Sequence, residues 1–169
     1  MSGPSNGPRV RTDIVDVYVF RRGATDVSLL QLLRARDPLG GTWQPVMGHV
    51  EAGERAVDTV WRELGEEVGL RPPSGVVGAW ALEQVHPFFL ADRDEIIMSP
   101  RFAVEVERGW EPELNDEHEG ARWVSSGDEG SFMWPGQRAA VRELLRLLDD
   151  RDSAAHEPER HLRLPIPGA

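Results

Sequence analysis

The sequence predicts an α+β fold, with two amphipathic helices packed on one mixed sheet. Three observations carry that prediction. Residues 55–68 and 134–148 each repeat apolar side chains at the helical period. Runs rich in β-branched and aromatic residues lie between clusters of Gly, Pro and Asp and read as strands. The two kinds of element are mixed without regular alternation, which is the order of an α+β domain.

The elements follow in chain order. Residues 1–12 are rich in Gly, Pro and Ser and are expected to form a flexible arm. Residues 13–20 (DIVDVYVF) make a strand, and a polar turn containing Gly23 follows. Residues 28–36 (SLLQLLRAR) fit helix or strand by pattern. The short turn before them and the Asp-Pro-Leu-Gly-Gly after them favour a strand, which places Leu30, Leu32, Arg34 and Arg36 on one face. Residues 42–47 (TWQPVM) form a short extended segment, irregular or at an edge because of Pro45. Residues 76–90 and 95–107 read as two long strands joined by a turn at 91–94, with Pro87 and Pro100 marking bulges or edges. Residues 116–120 are an acidic loop and 121–125 a short strand. The second helix carries Ala140, Val141, Leu144, Leu145 and Leu148 as its apolar stripe. Residues 149–169 are polar and Pro-containing, and are expected to be a tail beyond a single domain at 13–148.

The segment 48–70, GHVEAGERAVDTVWRELGEEVGL, organises the rest. Val57, Val60, Trp61, Leu64 and Val68 form one apolar helical stripe, and Gly69 stands where a helix ends in the left-handed conformation. Glu63, Glu66 and Glu67 fall at i, i+3 and i+4, on the face away from that stripe. Like charges so close repel by about 0.2–0.5 kcal/mol per pair in an isolated helix. A hard divalent cation is a natural compensator, since Mg²⁺ is held by one or two carboxylates together with substrate phosphates. A solvated acidic face is the plainer alternative.

Composition narrows the chemistry. The chain has no cysteine, so it has neither disulfides nor thiolate nucleophiles. Its 19 basic residues are all arginine, which removes Schiff-base chemistry and leaves a phosphate clamp to Arg, metal or backbone N–H groups. A net charge of −10 argues against a nucleic-acid polymer as partner. No apolar run approaches the roughly 18 residues of a membrane helix, and the N-terminus lacks a secretory apolar segment. A cytoplasmic protein with no membrane partner is expected, and a homodimer stays open.

The spacing G-x5-E-x7-R-E-apolar-x-E-E-x-G-apolar is filled at every fixed position from Gly48 to Leu70. In this the chain resembles the Nudix hydrolases, over roughly residues 13–148. The resemblance implies an α/β/α sandwich, a mixed sheet between helices, with 48–70 as loop–helix–loop. It implies divalent-metal-dependent hydrolysis of a nucleoside diphosphate linked to another group, by water attack on phosphorus, with Mg²⁺ (or Mn²⁺) as the cofactor. Residue by residue, it places metal ligands at Glu66 and Glu67 and a further ligand at Glu63. Arg62 is the arginine that orients the glutamates, with Glu54 as its partner. The backbone carbonyl metal ligand falls at Gly48, where many members have Gly-Gly and this chain has Met47-Gly48.

Several members take a further carboxylate from outside this box. Glu113, Asp116, Glu117 and Glu119 are available, Glu117 is preferred, and Glu95 is the outlying choice. Glu117-His118 followed by Trp123 resembles the branch that cleaves dihydroneopterin triphosphate, as do Trp43-Gln44 and Trp134 with Arg138. The substrate contacts are thus expected at Arg34, Arg36, Trp43 and Trp134. The substrate is a phosphorylated small molecule: a nucleoside triphosphate, dNTP or NTP, or dihydroneopterin triphosphate. The alternatives are a dinucleoside polyphosphate or nucleotide-sugar hydrolase, or a Nudix-like sensor that binds a nucleotide without turnover.

Overall fold

The computed structural model describes residues 7–37, 39–150 and 161–169. Its elements in chain order are β1 (Arg9–Arg11), β2 (Ile14–Arg22), β3 (Val27–Arg34), β4 (Trp43–Gln44), β5 (Val46–His49), α1 (Ala56–Val68), β6 (Val76–Ala81), β7 (Phe88–Leu90), β8 (Glu95–Ile97), β9 (Arg101–Val106), β10 (His118–Ser125) and α2 (Pro135–Asp150). A single 3-10 turn, Glu129–Ser131, precedes α2.

The main sheet has seven strands. Its path is β10-β3-β2-β9-β6, with β4 added to β3 and β5 added to β2. β2 and β9 run parallel and the other pairs antiparallel, so the sheet is mixed. The alternation along β2 divides the core. Val15, Val17 and Val19 point to the side covered by α1 and join Val60, Leu64 and Val68. Tyr18 and Phe20 point to the opposite side, where Ala140, Val141 and Leu144 of α2 cover them together with Trp80. Each helix lays its apolar stripe on one sheet face. The α/β/α sandwich implied by the resemblance is the fold observed.

Both helices match their sequence patterns closely. Gly69 ends α1 at φ 70°, and the Leu70 N–H donates to the Leu64 carbonyl at 3.0 Å, a closure that glycine reaches without steric cost. α2 opens with Pro135, whose missing N–H is no loss in the first turn.

The two long strands expected at 76–90 and 95–107 are each broken. Residues 82–87 and 98–100 leave the ladder, giving β6 and β7 in place of one strand and β8 and β9 in place of the other. The prolines at 87 and 100 have no N–H to continue pairing. β7 and β8 then form a separate three-stranded sheet with β1, in the order β1-β8-β7. Residues 9–11, placed in a flexible arm by composition, are therefore a strand. Arg9 and Arg11 both ion-pair with Glu95, which is only 2% exposed. The strand expected to reach Arg36 stops at Arg34. Residues 1–6 of the expected arm and 151–160 of the expected tail lie outside the described residues.

Residues 161–169 return to the domain. Arg163 bridges to Trp80, the Leu164 N–H donates to the Ala79 carbonyl at 2.8 Å, and the Leu164 side chain packs against the α1-side core. Leu164→Ala should therefore cost about 1–2 kcal/mol and lower Tm by about 2–8 °C in a thermal scan. An unchanged Tm would mean that this return contributes nothing to the domain.

Candidate active site

Arg62 holds the site together. Its Nε and Nη2 donate to the two Glu54 oxygens at 3.0 Å each, and Nη2 also donates to the His49 carbonyl at 2.8 Å. Nη1 donates to Glu63 Oε1 at 2.7 Å and to Glu66 Oε2 at 3.2 Å. Glu54 in turn accepts from the Thr59 hydroxyl at 2.7 Å and from the Glu51 N–H at 3.1 Å. These bonds, Arg62 first and Thr59 second, pull the Glu54 carboxyl down to about 2. The guanidinium thus ties the loop before α1 to the helix itself and fixes two of the three helix acids. The pairing of Arg62 with Glu54 is the one that the family resemblance implied.

The three acids are not equivalent. Glu66 is exposed, as expected of a helix face turned from the core. Glu63 and Glu67 are not, at 8% and 4% exposure. They flank the apolar stripe, and Gly48 of β5 leaves room for Glu63. A Cβ at Gly48 would run into the Glu63 carboxyl. Burial raises Glu63 against the opposing pull of Arg62. Glu67 is pushed up to about 9, first by burial, then by the charges of Glu63 and Glu117, with Arg34 and the Met47 N–H acting against the rise. Its Oε2 is buried without a hydrogen-bond partner.

The second wall comes from β3 and the segment before β10. Arg34 stands opposite His118 in the β3–β10 ladder. Residues 113–118 cross the C-terminal end of α1: the Glu113 N–H donates to the Val68 carbonyl at 3.0 Å, and the Asn115 N–H reaches the Glu67 carbonyl at 3.4 Å. The Ala35 N–H donates to the Glu117 carbonyl at 2.9 Å and draws the same segment to β3. His118 Nε2 then lies 3.7 Å from Glu67 Oε2. Glu117 is near enough for its charge to act on Glu63, Glu67 and His118. Burial lowers His118 more than Glu117 raises it.

Gly48, Arg62, Glu63, Glu66, Glu67, Glu117 and Arg34 are thus brought to one place. Other expected residues are placed elsewhere. Arg36 pairs with Asp116 at 3.0 Å, both well exposed. Trp43 pairs with Leu33, next to Arg34, and carries the Arg122 guanidinium 4.2 Å above its ring. Trp134 is 47% exposed, and its carbonyl accepts from the first amides of α2. Glu95 is held by Arg9 and Arg11. Thr59 and Asn115 join the site without having been expected there. Thr59 lies five residues after Glu54 and its hydroxyl reaches that carboxylate, whereas Asn115 had no local signal.

The donor set suits a hard divalent cation. It offers carboxylate oxygens, one of them buried and unpartnered, with mutual repulsion that a cation would relieve. Among the described residues no three Asp, Glu or His side chains close to metal-ligand spacing. An open set of this kind fits an ion that keeps waters and takes substrate phosphates as ligands.

The description of the NUDIX domain matches residues 10–144. The chain belongs to the NUDIX family. It is 30% identical over 151 residues to a Mycobacterium tuberculosis protein provisionally named 8-oxo-dGTP diphosphatase 2, covering 85% of this chain and 95% of that one. It is 34% identical over 119 residues to a Myxococcus xanthus protein named octanoyltransferase, covering 69% of this chain. The chain spans only 31% of the length of that relative. Among solved structures, the E. coli dihydroneopterin triphosphate pyrophosphohydrolase superposes with a TM-score of 0.67 at 20% identity, covering 83% of this chain and 97% of that one. No helix among the described residues of this chain is long and apolar enough to cross a membrane.

The position of Glu67 gives a pH signature. A carboxyl raised from the ordinary 4.5 of a glutamate to about 9 in the folded state binds its proton more tightly there than in the unfolded chain. Stability of the metal-free protein therefore falls as pH rises from about 4.5 to about 9. Glu67→Gln removes that penalty. In EDTA its Tm gain over the wild type should be larger at pH 8 than at pH 5, and equal gains at both would contradict the burial of a strained carboxyl.

Proposed function

We propose that this NUDIX hydrolase is a divalent-metal-dependent pyrophosphohydrolase of the cytoplasm. It cleaves the phosphoanhydride of a nucleoside-triphosphate-like small molecule, a dNTP, an NTP or dihydroneopterin triphosphate. The observation that supports this reading best is Glu67, buried among the charges of Glu63, Glu117 and Arg34 with its Oε2 left without a hydrogen-bond partner. A buried acid with that neighbourhood is unfavourable for the fold alone and useful to a cation-assisted reaction on an anionic substrate.

Mg²⁺, or Mn²⁺ in its place, would be held by Glu63, Glu66 and Glu67 with the Gly48 carbonyl, and would neutralise charge on the phosphates and acidify the attacking water. The rest falls to the chain. Arg34 binds a phosphate oxygen, and its fixed charge steadies the negative charge that gathers there in the transition state. Arg62 keeps Glu63 and Glu66 turned into the site. Glu117, an exposed carboxylate on a pinned segment, accepts the proton of the attacking water.

Incubation with a panel of triphosphates, dinucleoside polyphosphates and nucleotide sugars tests this directly. The expected outcome is pyrophosphate release from a triphosphate, dependent on Mg²⁺ or Mn²⁺. Glu66→Gln and Glu67→Gln should each lower kcat by more than about 100-fold, and Glu117→Gln by about 10²–10⁴-fold. Undiminished turnover in the Glu67→Gln variant would overturn the assignment. Tight nucleotide binding without hydrolysis would make the protein a sensor.

A further inference from the structure

Asn115 is a half-buried residue between the acidic loop and the end of α1, and nothing in the box motif points to it. Four bonds converge on it. Its N–H reaches the Glu67 carbonyl at 3.4 Å, and its carbonyl accepts from the His118 N–H at 3.5 Å. Its side-chain oxygen lies 3.2 Å from the Glu117 N–H and 3.2 Å from His118 Nδ1. One residue thereby contacts the backbone of a box glutamate, the backbone of Glu117 and the ring of the histidine facing Glu67.

The chemistry of these donors fixes the orientation. A backbone N–H can only donate, so the carboxamide atom that meets Glu117 is the oxygen and not the nitrogen. That oxygen has no proton to give. His118 must then donate to it from Nδ1, and the neutral imidazole carries its hydrogen there. Nε2 is left bare, and it is the nitrogen that stands 3.7 Å from Glu67 Oε2. The other bonds of the segment, Glu113 to Val68 and Ala35 to Glu117, set its path but reach neither side chain.

We propose that Asn115 is a positioning residue for the reaction: its single side-chain oxygen fixes the Glu117 backbone and the His118 tautomer together, and so presents Glu117 and the bare His118 Nε2 to the buried end of the box helix. The kinetic half of this rests on the reading of the site given above, and the tautomer half does not.

Two measurements on the full chain test it. Nitrogen-15 NMR of the imidazole reads the tautomer without any turnover. The wild type and Asn115→Asp, which keeps an acceptor oxygen in place, should show His118 protonated at Nδ1, and Asn115→Ala should lose that form. In steady-state kinetics Asn115→Ala should lower kcat by about 10–100-fold with KM changed by less than about threefold, and Asn115→Asp should restore most of the loss. In a Glu117→Gln background the same Asn115→Ala change should lower kcat by a smaller factor, since one of the two groups it positions is gone. An Nε2-protonated His118 in the wild type would overturn the proposal. So would an Asn115→Ala variant with its tautomer retained, or a kcat loss that is undiminished in the Glu117→Gln background. If no substrate is turned over by the wild type, the pyrophosphohydrolase reading fails and the tautomer result still decides the role of Asn115.

Discussion

The bond set of the Arg62 guanidinium is the constraint on which the rest of the site depends. Four of its contacts are carboxylate oxygens and a fifth is the His49 carbonyl at the end of β5. Without that charge, Glu54, Glu63 and Glu66 would separate, and the loop of residues 50–55 would lose its tie to α1. Lysine could not substitute, because a single ammonium has neither the planar fork that grips Glu54 through two nitrogens nor the reach to Glu63 on the other side. The Thr59 hydroxyl and the Arg62 guanidinium both anchor to Glu54 and tie the loop before α1 to the helix.

One guanidinium neutralises only part of the cluster. Glu67 is outside its reach and deep enough that burial outweighs the help of Arg34 and the Met47 N–H. The fold places it there through several independent features. Val68 and Leu64 seat the helix in the core, Gly48 opens space beneath the Glu63 carboxyl, and residues 113–118 close over the helix end. Each adds stability or costs little by itself, and together they hold a carboxyl in surroundings that oppose its charge. Strain of this kind persists only when the surrounding packing overdetermines it.

Much of this was legible in the sequence for a physical reason: local periodicity and fixed spacing report local structure. The bounds of both helices and the left-handed Gly69 follow from residues within one or two turns of each other, and the Glu54–Arg62 pairing was implied by the family resemblance. What was not legible depends on contacts distant in the chain. Strand β1 exists because Arg9 and Arg11 meet Glu95, and no local pattern announces a strand that short. Glu63 and Glu67 are buried, Glu63 against Gly48, where the helical wheel alone put both on an open face. Asn115 was invisible because its importance arises only once the acidic loop lies across the end of α1. The prolines at 87 and 100 did signal irregularity, but not that the broken pieces would leave to form a second sheet with β1.

The central claim is that the acids around Arg62 are completed by a divalent cation that takes the place of a proton on Glu67. Calorimetric titration of Mn²⁺ or Mg²⁺ into the metal-free protein at pH 7, repeated in buffers of different ionisation enthalpy, counts the protons exchanged on binding. The account predicts release of about one proton per cation bound, reduced in Glu67→Gln. Binding without proton release, or release unchanged in that variant, would contradict it.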